Sequence, residues 1–237
     1  MPHVRAFRFL SERYPVRDAY PFDVAALRCT PSIDLSAPVT FFVGENGTGK
    51  STVLEAIARR AGIHIWTDPP PSLERNPWRD RLHEFTELEW TGKRVPGSFF
   101  SSRIFQNFAE AVDDFAKGDP GQLKYFGGRS LVSQSHGESL MSFFRSRYGI
   151  EGLYLLDEPE TALSPKSQLG LVRLIHDMAR KGHAQFILCT HSPIVMACPG
   201  ARIYGFDSGP IAPVAYEATE HFRVYKAFMA DPPRHLP

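Results

Sequence analysis

The sequence predicts an α/β fold built on a mostly parallel sheet with helices on both faces. Three observations carry that expectation. Residues 38–43 (PVTFFV) form an apolar run that stops at a glycine-rich loop, and residues 51–61 after the loop have helical spacing. Residues 153–156 and 185–190 are two further apolar runs of strand length, separated by a helical stretch over 165–180. Strands that alternate with helices pair in parallel, because each crossover must pack back onto the sheet.

The remaining elements follow in chain order. Residues 4–10 alternate apolar and charged side chains, as a half-exposed strand does. The helix over 51–61 ends at Gly62. Residues 68–97 are rich in proline, tryptophan and charge, with a strand candidate at 84–90 (EFTELEW) in their middle. Residues 99–117 read as an apolar and then helical segment closed by Gly118, and 139–148 as a helix. Closing strands are expected at 203–206 and 214–216, and a last helix at 220–229. The chain shows no repeat, low-complexity tract or sustained heptad run.

Composition narrows the function classes. The chain has 237 residues, 43% apolar and 22% charged, with a formal net charge of +1. That length suits one sizeable α/β core. The charge supplies no strong basic field for non-specific DNA binding, although a local patch can hide in a neutral total. Arg5, Arg8, Arg13 and Arg17 are the one candidate patch, and a solvated strand edge is the simpler reading. No apolar run reaches bilayer length, and the first residues lack the apolar core of a signal peptide. Cys29, Cys189 and Cys198 are too scattered for a disulfide framework, so a reducing, cytoplasmic location is expected. With His191, the latter two cysteines match no paired zinc-ligand spacing.

The strongest motif is Gly44-Glu45-Asn46-Gly47-Thr48-Gly49-Lys50-Ser51, followed by Thr52, which fits G-x-x-x-x-G-K-[ST] at every position. Its glycines let backbone N–H groups face phosphate oxygens, and the helix start adds partial positive charge. Lys50 can reach β- and γ-phosphates, and the Ser51 hydroxyl is placed for Mg²⁺. The expected ligand is a nucleoside triphosphate.

Residues 152–158 (GLYLLDE) are an apolar strand that ends in two carboxylates. Strand carboxyl ends form the ligand face of such a sheet, so Asp157 and Glu158 should emerge beside the phosphate loop. Adjacent strand residues point opposite ways, but a turn before Pro159 can aim both at the site. Asp157 is then a Mg²⁺ ligand, directly or through water, and Glu158 the group that polarises the attacking water. His191 stands just past the strand at 185–190, where it can donate to a γ-phosphate.

Residues 133–140 (SQSHGESL) pose a choice. A serine hydrolase elbow needs a G-x-S-x-G frame, and none surrounds Ser133, Ser135 or Ser139. The stretch instead precedes an apolar helix, so its serine and backbone amides form a second anion-binding helix start. Two such sites in one domain make sense if two chains pair head-to-tail, each closing over the other's nucleotide.

Taken in order, GENGTGKST, SHGES, LYLLDEPE and THSP resemble an ABC-type ATPase domain. The likeness is close to compact ATPases related to the RecF and structural-maintenance-of-chromosomes group. It implies a P-loop NTPase fold with a small antiparallel β region, a single domain over 1–237, and a helical signature subdomain over approximately 70–148. It also implies ATP and Mg²⁺ as cofactors and an ATP-dependent homodimer. Ser135 and Gly137 would contact the γ-phosphate held by the opposite subunit, and Glu138 would support the turn or meet the partner's ribose. Residues 161–165 resemble the loop that crosses the dimer interface, and His191 the switch histidine. Gln106 is the candidate for the family's metal-facing glutamine, with Arg103 as the second possibility. Tyr20 and Phe22 are the candidates for stacking on adenine.

Three functions fit this resemblance. The first is a soluble ATPase that closes on ATP as a dimer, with an unknown protein partner. The second is the ATP-binding subunit of a membrane transporter, although Gln134-Ser135-His136-Gly137-Glu138 departs from the usual Leu-Ser-Gly-Gly-Gln. The third is a DNA-repair-associated ATPase. Long-armed members place a coiled coil between phosphate loop and signature, whereas here about eighty residues with several prolines fill that interval.

Overall fold

The computed structural model describes residues 2–66, 76–119, 121, 123, 128, 130, 132–133, 136–207 and 209–236. Its strands are β1 (Val4–Phe9), β2 (Ser32–Asp34), β3 (Val39–Val43), β4 (Thr86–Trp90), β5 (Gly97–Ser101), β6 (Gly152–Asp157), β7 (Ala184–Cys189), β8 (Arg202–Gly205) and β9 (Ala212–Pro213). The helices are α1 (Ala25–Cys29), α2 (Lys50–Ala61), α3 (Phe105–Gly118), α4 (His136–Arg147), α5 (Pro165–Arg180), α6 (Pro193–Met196) and α7 (Glu220–Ala230).

A six-stranded sheet runs in the order β5-β6-β7-β3-β8-β9, parallel throughout except for the antiparallel β8–β9 pair. Every residue of β3, β6 and β7 is buried. That explains their continuous apolar runs, since a strand covered on both faces shows no polar alternation. Successive side chains still divide between two cores. Phe41, Tyr154, Leu156, Phe186 and Leu188 pack with Phe144 of α4, with Tyr148 just after it, and with Leu171 and Ile175 of α5. Phe42, Leu153, Leu155, Ile187 and Cys189 face the other way, onto Val53, Leu54 and Ile57 of α2 and onto Phe7 and Ile33.

The second core is closed by a three-stranded antiparallel sheet, β2-β1-β4. Arg5 and Arg8 on the outer side of β1 both donate to Glu89 of β4, Arg5 through Nε at 2.6 Å and Arg8 through Nη2 at 3.1 Å. Two of the four arginines that suggested a basic patch are thus neutralised across the strand pair.

One side chain ties the two sheets together. Gln185 of β7 is fully buried. Its Oε1 accepts from the N–H groups of His3 and Val4, each at 2.8 Å. Its Nε2 donates to the carbonyls of Val4 at 2.9 Å and Leu35 at 2.6 Å. A buried amide is tolerated when its hydrogen bonds are made, and here those bonds satisfy backbone groups where β1 begins and β2 ends.

Most expected elements match, with shifts at their ends. The strand expected at 214–216 lies two residues earlier as β9, and Tyr216–Ala218 is a 3-10 turn. Pro213 cannot donate to a ladder, which suits an edge position, and the pairing ends with Val214 N–H donating to Ile203 O at 2.9 Å. The helix expected from 139 starts at His136. Among the described residues of 70–148, β4 belongs to the three-stranded sheet, β5 to the six-stranded one, and the α-helices are α3 and α4. The short α1 and β2, five and three residues long, went unanticipated because so few residues carry no periodicity.

Gln185→Leu would leave the partners on β1 and after β2 buried without hydrogen bonds. We expect it to lower stability by about 3 kcal/mol or more in urea unfolding. A loss below about 0.5 kcal/mol would mean that the two sheets are not held by this amide.

Candidate functional site

The site follows from register. Phe42 of β3 and Asp157 of β6 both pair with Cys189 of β7, so the three strands end level with one another. The segments that leave them therefore converge at the sheet's carboxyl edge, where open α/β sheets bind ligands.

After β3 the chain enters the loop 44–49. Gly44 has φ 143°, and a Cβ there would stand 2.6 Å from Asp207 Oδ1. That same oxygen accepts from Glu45 N–H at 2.6 Å, so only glycine fits this approach. Asn46 and Gly47 are exposed at the loop tip, and Thr48 Oγ donates to Glu45 O at 2.9 Å. Gly49 caps α2 in the left-handed conformation, φ 96°. Lys50 is buried, and its ammonium donates to Gly44 O and Glu45 O at 2.7 Å each. Burial depresses the Lys50 pKa, while Cys189, Asp207, Glu158 and Asp157 oppose that shift. Thr52 is hydrogen-bonded to the hydroxyl of Tyr20.

Ser51 Oγ donates to Asp157 Oδ1 at 2.9 Å, joining the start of α2 to the end of β6. Burial raises the Asp157 pKa, and the Ser51 hydrogen bond works against that rise. Glu158 has φ 49°, the one non-glycine residue with positive φ among those described. Its N–H still bonds to Cys189 O at 3.0 Å before the chain turns. This left-handed residue sends the two neighbouring carboxylates to the same site, a conformation of the kind that concentrates at functional positions. Glu158 Oε1 comes within 3.6 Å of His191 Nε2.

His191 is held from two sides. Its N–H donates to Glu160 Oε1 at 2.7 Å, and its Nδ1 lies 2.9 Å from His221 Nε2. Burial lowers its pKa, assisted by Lys50 and His221 and opposed by Glu158 and Glu45, which favours the neutral ring.

The other expected residues divide into placed and unplaced. Gly137 and Glu138 occupy the first turn of α4, and a Cβ on Gly137 would lie 3.4 Å from Ala162 O. The helix start thus rests against the 161–165 loop of the same chain. Ser135 lies outside the described residues. Gln106 belongs to the first turn of α3, and its side chain is likewise outside them. Arg103 precedes α3, is exposed, and lowers the Asp157 pKa through its charge. Phe22 is corrected as an adenine-stacking candidate: it is fully buried among Tyr14, Trp78 and Phe85. Tyr20, 37% exposed, stays beside the loop helix.

Comparison with known proteins bears on the fold. Residues 121–197 match the family model described as "AAA domain, putative AbiEii toxin, Type IV TA system", and residues 25–59 match one described as "AAA domain". The SMC head domain from Thermotoga maritima superposes with TM-score 0.51 at 18% identity, over 90% of this chain and 100% of that one. The protein cbiO1 from Clostridium perfringens, part of the ABC transporter complex cbiONQ, gives TM-score 0.54 at 16% identity over 98% of both chains. The chain has the ABC-type P-loop ATPase fold. A protein described as "a putative metal-chelate type ABC transporter", in an inward-facing conformation, shares this fold at TM-score 0.50 and 19% identity, over 81% and 79% of the two chains. The comparison with curated proteins found no match.

Four residues around this site escaped the sequence reading. Asp207 follows β8 at the sheet's carboxyl edge, so its position did carry a signal. Glu160 stands three residues past Asp157 in the same acidic segment. His221 lies thirty residues beyond His191, and no spacing rule connects them. Glu55, one helical turn beyond Ser51, has its pKa raised to about 7, chiefly by burial and further by Asp80 and Asp157.

Glu55 generates a pH prediction. Its folded value of about 7 lies above the ordinary 4.5, so between these values the native state holds a proton that the unfolded chain releases. Stability from the protonated form is therefore present below about pH 4.5 and lost as pH rises to about 7. Glu55→Gln should flatten this decline and exceed the wild type in stability at pH 8. Parallel denaturation curves for the two proteins across that range would refute the assignment.

Proposed function

We propose that this chain is a soluble, cytoplasmic, Mg²⁺-dependent ATPase that works as an ATP-dependent head-to-tail homodimer. The observation that carries the reading is the meeting of Lys50, the Ser51–Asp157 pair, Glu158 and His191 at the ends of three level, parallel strands.

The donor set fits both ligands. Ser51 Oγ and Asp157 Oδ1 are hard oxygens 2.9 Å apart, the type of pair that suits Mg²⁺ together with phosphate oxygens. The bound metal would supply charge neutralisation across the β- and γ-phosphates. Lys50, now donating to Gly44 O and Glu45 O, has the reach to transfer its N–H groups to phosphate oxygens. Glu158 accepts a proton from the attacking water, while the bond from the γ-phosphorus to the leaving ADP oxygen breaks. His191 donates from Nε2 to a γ-phosphate oxygen and so opposes the charge that builds there. Ser135 and Gly137, with Glu138, complete the partner's site. In this reading α3 and α4 form the helical subdomain, with Gln106 or Arg103 at its metal-facing end.

A membrane-transporter partner remains the second reading, favoured by the cbiO1 likeness, and co-purification with a permease would establish it. A DNA partner draws less support, because Arg5 and Arg8 are engaged by Glu89.

Glu158→Gln is expected to bind ATP normally, lower phosphate release about 100-fold or more, and accumulate an ATP-bound dimer in native mass measurement. Turnover at the wild-type rate would remove Glu158 from its role. Ser135→Arg should spare ATP binding by the monomer and abolish hydrolysis, and normal turnover by that variant would rule out the head-to-tail dimer.

A further inference from the structure

The sheet edge explains where His191 sits, but not which of its ring nitrogens carries the hydrogen. Two contacts bear on that. Nδ1 lies 2.9 Å from His221 Nε2. Nε2 is buried, 3.6 Å from Glu158 Oε1, and has no hydrogen-bond partner among the described residues.

A neutral imidazole has one N–H and one lone pair, so the 2.9 Å contact admits two arrangements. If His191 Nδ1 donates, its Nε2 turns a lone pair toward the Glu158 carboxylate, and the two repel. If His221 Nε2 donates instead, the hydrogen of His191 sits on Nε2 and faces an acceptor. Glu158 therefore selects the second arrangement. The other charged groups that bear on the ring are Lys50 and Glu45, with Glu160 on its backbone N–H.

His221 is itself built into place. It lies in the first turn of α7, whose N-cap Thr219 is buried and accepts from Phe222 N at 3.3 Å. Thr219 also donates to Tyr216 O at 2.7 Å. Tyr216 in turn donates to Pro193 O at 2.9 Å, the first residue of the helix that follows His191, and its ring packs on Phe222 at 4.7 Å. No residue of α7 is buried. The helix is fastened by its first turn, which sets His221 against His191.

We propose that His221 is a positioning residue that donates from Nε2 to His191 Nδ1 and thereby holds the hydrogen of His191 on Nε2, aimed at the site shared with Glu158. The catalytic consequence rests on the ATPase reading above, whereas the tautomer itself does not.

The test uses ¹⁵N-histidine spectra of the nucleotide-free full chain, together with steady-state ATP turnover. Wild type should show His191 protonated at Nε2. His221→Gln keeps an amide donor at similar reach and should preserve both the tautomer and most of kcat. His221→Phe removes the donor; His191 should then populate both tautomers, and kcat should fall about tenfold or more with KM for ATP little changed. A hydrogen on Nδ1 in the wild type, an unchanged tautomer in His221→Phe, or a changed tautomer with unchanged kcat would each overturn the proposal. A wild type with no turnover would sink the ATPase reading, and the spectra alone would then decide whether His221 sets the tautomer.

Discussion

The parallel register of β6, β7 and β3 is the constraint on which the site depends. Because Cys189 lies level with both Asp157 and Phe42, the segments leaving these strands start from one line. A slip of one residue in β6 would turn Asp157 to the opposite face and remove the acceptor from Ser51. The register is protected by burial on both sides. Tyr154 and Phe186 stack with ring centroids 5.4 Å apart on one face, and Leu155 and Ile187 pack on the other. The same apolar pressure that builds the core therefore places the polar groups at its rim.

What happens at the strand ends is local backbone chemistry. Glu158 keeps one ladder hydrogen bond to Cys189 O and then adopts a left-handed conformation, which is uncommon for a residue with a Cβ. The turn allows two adjacent carboxylates to serve a single site, one toward Ser51 and one toward His191. Gly44 solves the converse problem in the loop, where Asp207 comes too close for any side chain. Neither feature is a defect in packing. Each converts a strand end into a directed group.

Much of this was legible in the sequence because it is local or periodic. The buried strands announced themselves as apolar runs, the loop as a fixed glycine spacing, and the acidic pair as the end of a strand. The antiparallel sheet was visible only as isolated strand candidates, since its pairing joins residues far apart in the chain. Gln185 illustrates the limit. It stood at the start of an apolar run and gave no sign that it would bind the backbone near Val4 and Leu35. Phe22 erred in the other direction: an aromatic residue near the loop in sequence is a core residue in space. His221 carried no signal at all, because its meaning depends on a contact made by a helix thirty residues away.

Charge then argues for the order of events in the proposed reaction. Lys50 is surrounded electrostatically by Asp157, Glu158 and Asp207, so carboxylates outnumber it around the loop. A triphosphate approaching such a site meets one buried ammonium, the backbone N–H groups of the loop, and several like charges. The backbone dipoles and the lysine favour phosphate, but the carboxylates oppose it. A divalent cation held by Asp157 and Ser51 would reverse that balance, because carboxylates and phosphates would both attract it. On the proposed reading, Asp157 and Ser51 therefore do more than hold a metal: by drawing the cation to the strand end, they turn an acid-rich rim into one that accepts a tetra-anionic nucleotide. Glu158 can then stand beside the γ-phosphate and accept from the attacking water without its charge expelling the substrate.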